Sequence, residues 1–168
     1  MSVQVVAAAS GDAETVANLM NLYLHEFSDV DPLATGTIEE NGRFSYFHLD
    51  RYWSEPDRYP FLIRSDGRLA GFALVAQEAI DGADEPVHVI AEFFVLRPHR
   101  RRGVGEGAAR ALFDRFAGPW LVAQHPANTP AQAFWRKVIG RYTGGTYDES
   151  GPDEHQNAVV QRFDSARI

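Results

Sequence analysis

Two stretches of the chain bring together residue types that do chemistry. Glu92 is a lone carboxylate inside an apolar run, Val89-Ile90-Ala91-Glu92-Phe93-Phe94-Val95, and shortly after it Arg100-Arg101-Arg102 leads into Gly103-Val104-Gly105-Glu106-Gly107. Adjacent arginines repel one another, and glycines at a helix start cost conformational entropy. An anionic ligand accounts for both. A strand that runs into a glycine turn and then a helix aims backbone N–H groups and the positive end of the helix dipole at one point, which suits phosphate oxygens. Gly103 and Gly105 let a ligand touch that backbone, and the arginines add planar donors matched to phosphate. The plain alternative is a solvated basic loop ahead of an ordinary helix, because glycine patterns alone are weak evidence. For Glu92, strand alternation predicts the face opposite Phe93 and Val95, shared with Phe94. In a partly dry cleft its pKa would rise, making it a better base at neutral pH. On a solvated sheet face, or beside an arginine, it would be an ordinary carboxylate.

Other chemistries fit less well. Gly103-x-Gly105-x-x-Ala108 matches the dinucleotide pattern, but the turn before it is long and arginine-filled. The strand about 20 residues on runs into Gln124-His125, without the acidic residue that would hold a ribose. No G-x-x-x-x-G-K-[ST] occurs, which excludes a nucleoside-triphosphate loop. Sixteen Lys plus Arg against 23 Asp plus Glu give a net charge of −7, so no nucleic-acid partner is expected. Zero cysteines remove disulfides, thiolate nucleophiles and cysteine-based zinc sites, and no metal is expected. The opening residues carry no basic region, and no run reaches the roughly 18 apolar residues of a membrane span. The expectation is a soluble, cytoplasmic chain with no membrane partner.

The elements that must position these residues can be read from periodicity. Val3 to Ala8 reads as a strand, followed by a helix with Val16, Leu19, Met20, Tyr23 and Phe27 on one face. Ser28 to Pro60 is poorly patterned, with aromatic clusters Phe44, Tyr46, Phe47 and Tyr52, Trp53. Asp66-Gly67 between two apolar runs predicts a hairpin, and a turn at Asp81 to Pro86 adds a third strand, Val87 to Leu96. A helix with Val104, Ala108, Ala111, Leu112 and Phe116 follows, stopped by Gly118-Pro119, and then a short strand, Trp120 to Ala123. Thr129 reads as the N-cap of a last helix with Gly140 as its C′ residue, and two strand-like pieces, Tyr142 to Tyr147 and Ala158 to Phe163, flank a polar loop, Asp148 to Gln156. At 168 residues one α/β domain, 1–168, accounts for the chain. His25 and His88 are weaker candidates for a base than Glu92. Gly144-Gly145 and His155 read only as turn and surface.

These residues resemble the GNAT superfamily of acyl-CoA-dependent N-acyltransferases. Arg100-Arg101-Arg102-Gly103-Val104-Gly105 matches its [QR]-x-x-G-x-[GA] signature in sequence and position, Phe93-Phe94-Val95 looks like its pantetheine-pairing strand, and Asn128-x-x-Ala131-x-x-Phe134 looks like the start of its next helix. The resemblance implies a central, mostly antiparallel mixed sheet of about six to seven strands, flanked by about four helices and splayed between strands 4 and 5. It implies acetyl-CoA as cosubstrate, with its pyrophosphate on the amides of Arg101 to Gly105. Val95, Leu96, Arg97, Arg100, Arg101, Arg102, Gly103, Val104, Gly105, Glu106, Asn128, Phe134 and Trp135 are the expected cofactor-binding residues. An acetyl group would pass directly to an amine on a small molecule or peptide, and a homodimer is compatible with this reading. Three tasks follow: deprotonate an ammonium, for which Glu92 is the candidate; stabilise the oxyanion, through a backbone N–H near Val95; and protonate the thiolate. Many members use a tyrosine for the last, where this chain has Trp135, whose indole N–H cannot serve as an acid at neutral pH. Trp135 would then pack against pantetheine and the thiolate would leave unassisted or through water, with Tyr142 as a substitute acid. A non-catalytic acyl-CoA-binding or sensor domain of the same fold is the alternative. The aromatic region, Phe44, Tyr46, Phe47, Tyr52, Trp53 and Tyr59, falls where the family builds its acceptor pocket; most of these rings read as core or cover, and any that line the cleft would favour an apolar or cationic acceptor, with Glu26, Asp29 and Asp31 favouring a cation.

Overall fold

The structure is a computed structural model and describes residues 1–32, 36–45, 48–153 and 157–168. Tyr46, Phe47 and His155 lie outside the described residues. The elements run β1 (Val3–Ala7), α1 (Ala13–Phe27), α2 (Arg51–Ser54), β2 (Arg58–Ser65), β3 (Arg68–Glu78), β4 (Val87–Val95), α3 (Val104–Arg115), β5 (Pro119–Gln124), α4 (Thr129–Tyr142), β6 (Asp148–Ser150) and β7 (Val159–Asp164). The strands form one sheet in the order β1-β2-β3-β4-β5-β7-β6. Every neighbour pair is antiparallel except β4 with β5. Four helices flank this seven-stranded mixed sheet, as expected from the sequence.

Local chemistry explains the meander. Asp66 (φ 50) and Gly67 (φ 76) both turn left-handed, which is what a tight two-residue hairpin loop between right-twisted strands requires. Alternation along the strands then sorts side chains into two cores. On one face Phe61, Ile63, Ala73, Val75 and Val95 pack with Val104, Ala108, Leu112 and Phe113 of α3 and with Trp135, Val138 and Ile139 of α4. On the other face Leu62, Phe72, Leu74 and Phe94 pack with Val16, Leu19, Met20 and Leu24 of α1 and with Tyr52 of α2.

The C-terminal third departs from the periodic reading. Asn128 caps α4 through its side chain, which accepts from the Ala131 N–H, so the cap lies one residue before Thr129. Gly140 sits within the helix, and α4 ends instead at Gly144 (φ 63) and Gly145 (φ 89), whose N–H donates to the Gly140 carbonyl. Tyr142 to Tyr147 is therefore helix end and turn, and β6 falls inside the stretch read as a polar loop. β6 is an exposed three-residue edge, too short to show alternation. Among the described residues no helix is long and apolar enough to cross a membrane.

Candidate functional site

The sheet is closed at one end of β4 and open at the other. β5 pairs with β4 only at His88, Val89 and Ile90. Between Ile90 and Glu92 the register against β3 shifts, leaving Ala91 as an extra residue, a bulge that bends the strand. From there to Val95 β4 has β3 on one side and no strand on the other. The Leu96 N–H donates to the Ala70 carbonyl on the β3 side. By alternation the backbone groups of Val95 and Phe93 face the open edge.

Beyond that edge the chain turns left-handed twice, at Arg101 (φ 57) and Gly103 (φ 79), before α3 starts at Val104. The first helical bond runs from the Gly107 N–H to the Gly103 carbonyl. The N–H groups of Val104, Gly105 and Glu106 are thus left over by the helix and add to the positive end of its dipole. Gly105 lies against the cleft wall: a Cβ there would come within 3.1 Å of the Phe134 ring and 3.7 Å of Val95. Val95, Gly105 and Phe134 are thus brought together, and Gly103 lies two residues before Gly105 in the same turn.

The remaining predicted residues divide. Arg101 and Arg102 are exposed. Arg100 folds back over the end of β4: its Nε donates to the Val95 carbonyl at 2.6 Å, its Nη2 donates to Glu26 at 2.8 Å, and its guanidinium lies 5.4 Å from the Phe94 ring centre. Arg97 donates to the same Glu26 at 3.0 Å. Both arginines fasten α1 to the turn, and half-buried Leu96 lies between β4 and that turn. Glu106 accepts from Arg141 of α4 at 3.1 Å, and the Asn128 side chain is spent on its helix cap. Trp135 is only 5% exposed and packs edge-on against Phe93 and close to Phe113. It packs within the core, and Phe134, half-buried beside Gly105, is the more exposed of the two α4 rings. Tyr142 donates to Asp114 at 2.8 Å, ten residues and about 15 Å along α3 from Val104, away from the cleft.

Glu92 lies half-buried on the α1 face, on the side of Phe94, as alternation predicts. The Tyr23 hydroxyl of α1 is hydrogen-bonded to it, and burial together with that negative charge holds the phenol well above its ordinary range. Tyr52 of α2 also feels Glu92; burial above all pushes it up to about 12. Both phenols are neutral donors at physiological pH. His88, by contrast, is packed between Phe116 and Trp120 where β4 and β5 are closed, a core histidine rather than a base. His125, at the end of β5, meets Asp31 at 3.1 Å, which joins the β5 side to the segment after α1.

Comparison with known proteins agrees with this geometry. The model of the acetyltransferase (GNAT) family matches residues 16–140, well over half of the chain. The chain belongs to this family. Among solved structures, this GNAT fold is similar to aminoglycoside acetyltransferase AAC(6')-Ib in complex with coenzyme A (TM-score 0.65, 15% identity, 97% of this chain and 95% of that one). It is also similar to the GNAT domain of PAT from S. lividans (TM-score 0.60, 18% identity, 96% and 90%) and to the ribosomal-protein-S18-alanine N-acetyltransferase from Escherichia coli (TM-score 0.58, 11% identity, 98% and 95%). No curated protein matches the chain. Among the described residues of this GNAT domain, no group of three or more His, Asp or Glu sits where it could hold a metal ion.

Sequence reasoning missed the partners of the GNAT site. Tyr23 reads as one more apolar position on the α1 face, and Glu26 as a surface acid favouring a cationic acceptor. The described part of the aromatic region resolves largely into core and cover: Tyr52 is buried, the Trp53 indole donates to the Ala8 and Ala9 carbonyls, and the Tyr59 ring lies tilted 4.8 Å from Phe116 on the opposite face.

Proposed function

We propose that this GNAT domain is an N-acetyltransferase that moves an acetyl group from acetyl-CoA directly to an amine of a small molecule or peptide. The observation that carries the reading is the start of α3, where the N–H groups left over by the helix lie next to the open edge of β4. Acetyl-CoA fits those residues: three backbone donors, the helix dipole and the exposed side chains of Arg101 and Arg102 all favour a pyrophosphate. Gly105, which would meet Phe134 with even a methyl group, leaves room for a chain to pass along β4. When bound, acetyl-CoA supplies the acyl group as a thioester.

The protein's own residues take two of the three tasks. Glu92 accepts the proton of the incoming ammonium, directly or through a water, which frees the lone pair that attacks. The Val95 N–H, facing the open edge, donates to a carbonyl oxygen lying beside β4. The thiolate needs little help, since a thiol with a reference pKa near 8.5 is a fair leaving group. Neither Phe134 nor Trp135 offers a proton, so departure is unassisted or goes through water. Structural neighbours are named as an aminoglycoside acetyltransferase and a ribosomal-protein-S18-alanine N-acetyltransferase, and these names set the first amines to screen here.

Isothermal titration with acetyl-CoA, with NADH as control, tests the cradle. Micromolar binding of acetyl-CoA alone supports it, and no binding removes the reading. Thiol release on an amine panel then tests the base. Glu92→Gln is expected to keep acetyl-CoA affinity and slow turnover roughly 10²-fold or more. An unchanged rate takes Glu92 out of the mechanism. A domain that binds acetyl-CoA yet releases no thiol with any amine would be a sensor instead.

A further inference from the structure

We propose that Tyr23 of α1 is a positioning residue for Glu92: its hydroxyl holds the carboxylate ionised and fixed at the bulge of β4. The inference rests on Glu92 being the base.

The ring of Tyr23 is set by aromatic neighbours, with centroids 5.9 Å from Phe27, 6.1 Å from Phe72 and 5.7 Å from Phe94. A phenylalanine would make the same contacts, so the packing does not require the hydroxyl. The hydroxyl reaches Glu92. Glu92 follows the extra residue of the bulge, where the strand leaves β5, so no β5 backbone stands beside it to fix its position. A half-buried carboxylate in such a place is pulled toward its neutral form by desolvation, and a neutral hydroxyl donor pulls it back toward the charged form that a base needs. One hydroxyl bond leaves acceptor capacity on a carboxylate, which has two oxygens and about four lone-pair directions.

Two further features make Tyr23 the residue suited to this role. Glu26 lies three residues along α1, on the neighbouring surface of the helix, and is held by Arg97 at 3.0 Å and Arg100 at 2.8 Å. The turn that leads into α3 thereby fixes the height of α1 over β4 and so the height of the phenol over Glu92. The surroundings among the described residues are compatible with that role. From α2 the facing group is Tyr52, neutral like Tyr23. From β3 the cross-strand partner is apolar Leu74, and β5 does not pair at this level. Arg58 of β2 lies within electrostatic reach of Tyr52 but is itself held by Glu78 at 2.6 Å and Glu55 at 3.5 Å.

The test needs no acceptor. In protein labelled with 13C at glutamate carboxyls, Glu92 is assigned by its loss in Glu92→Gln and titrated in wild type, Tyr23→Phe and Tyr52→Phe. Tyr23→Phe is expected to raise the Glu92 midpoint by about one pH unit or more, the size of one lost hydrogen bond to a charged group. Tyr52→Phe is expected to shift it less. Wild type labelled at tyrosine Cζ gives the reciprocal reading: the Tyr23 signal should follow the Glu92 titration and lose that inflection in Glu92→Gln. An unmoved Glu92 midpoint in Tyr23→Phe, or a Tyr23 signal indifferent to Glu92, overturns the proposal while leaving the base assignment standing. A Glu92→Gln enzyme with full turnover removes the base, and the positioning role with it, even if the midpoint moves.

Discussion

β4 carries two stretches of opposite character. From His88 to Ile90 it is an interior strand, bonded to β3 and β5, with Trp120 of β5 only 1% exposed beside it. From Glu92 to Val95 the same strand has one neighbour and an open edge. Composition does not separate them, because both are apolar runs of the kind that fills a sheet centre. One extra residue, Ala91, separates them. A bulge is a cheap way to turn a closed ladder into an edge without exposing it to aggregation, since the opening is walled by α3, α4 and α1 rather than left at the side of the sheet. Stability should therefore depend on the closed half and ligand binding on the open half, and substitutions can break that division.

The largest expected effect is on the closed half. Trp120 packs with Phe113 at 5.0 Å, His88 at 5.2 Å and Phe163 at 6.5 Å between ring centroids. Trp120→Ala removes a fully buried indole and should lower unfolding free energy by about 3–5 kcal/mol in a urea titration. Measured where the variant is still folded, acetyl-CoA affinity should stay within about twofold of wild type. A proportional loss of affinity would mean that the open half is not independent.

Gly103→Glu makes the converse break. The residue sits at φ 79 with only Met1, among the described residues, near its missing Cβ, so the side chain finds space but the backbone is strained, and a carboxylate arrives where phosphate is expected. Acetyl-CoA affinity should fall at least about 10²-fold, roughly 2.7 kcal/mol, against about 1–2 kcal/mol of stability for the left-handed backbone. Calorimetry that shows unchanged affinity would move the phosphate site elsewhere.

The same division governs what could be read in the sequence. The turn was legible because its chemistry is local: strand, arginines, glycines and helix follow one another within about fifteen residues, and each glycine states a backbone need. The hairpin at Asp66-Gly67 and the alternation that places Glu92 on the face of Phe94 were legible for the same reason. The bulge was not, since Ala91 looks like any strand residue and its effect depends on which strand lies beside it. Glu26 with Arg100 and Tyr23 with Glu92 are 74 and 69 positions apart in the chain, and no periodicity joins such pairs. The buried Gln124–Gln161 bond at 2.7 Å, extended through Glu149 to Arg136, escaped for this reason too; it fastens β5, β7, β6 and α4 into one wall of the cleft.

The smallest expected effect is a pH dependence confined to the closed half. His88 is 8% exposed, its Nδ1 has no hydrogen-bond partner among the described residues, and burial holds the imidazole below its ordinary value, with the Pro119 carbonyl opposing. The folded protein therefore resists a proton that the unfolded chain accepts near pH 6.5. Stability should be full above that value and decline as pH falls through it, until the folded-state pKa is reached. Wild type should lose a few degrees of Tm between pH 7.5 and 5.5, and His88→Phe, which keeps an aromatic ring against Phe116 and Trp120, should lose less. Because Glu92 lies beyond the bulge, His88→Phe should leave the Glu92 titration where it is in wild type. Thermal scans at the two pH values check the first expectation and the carboxyl titration checks the second. A shifted Glu92 midpoint would show that the closed half reaches the open one through the strand itself.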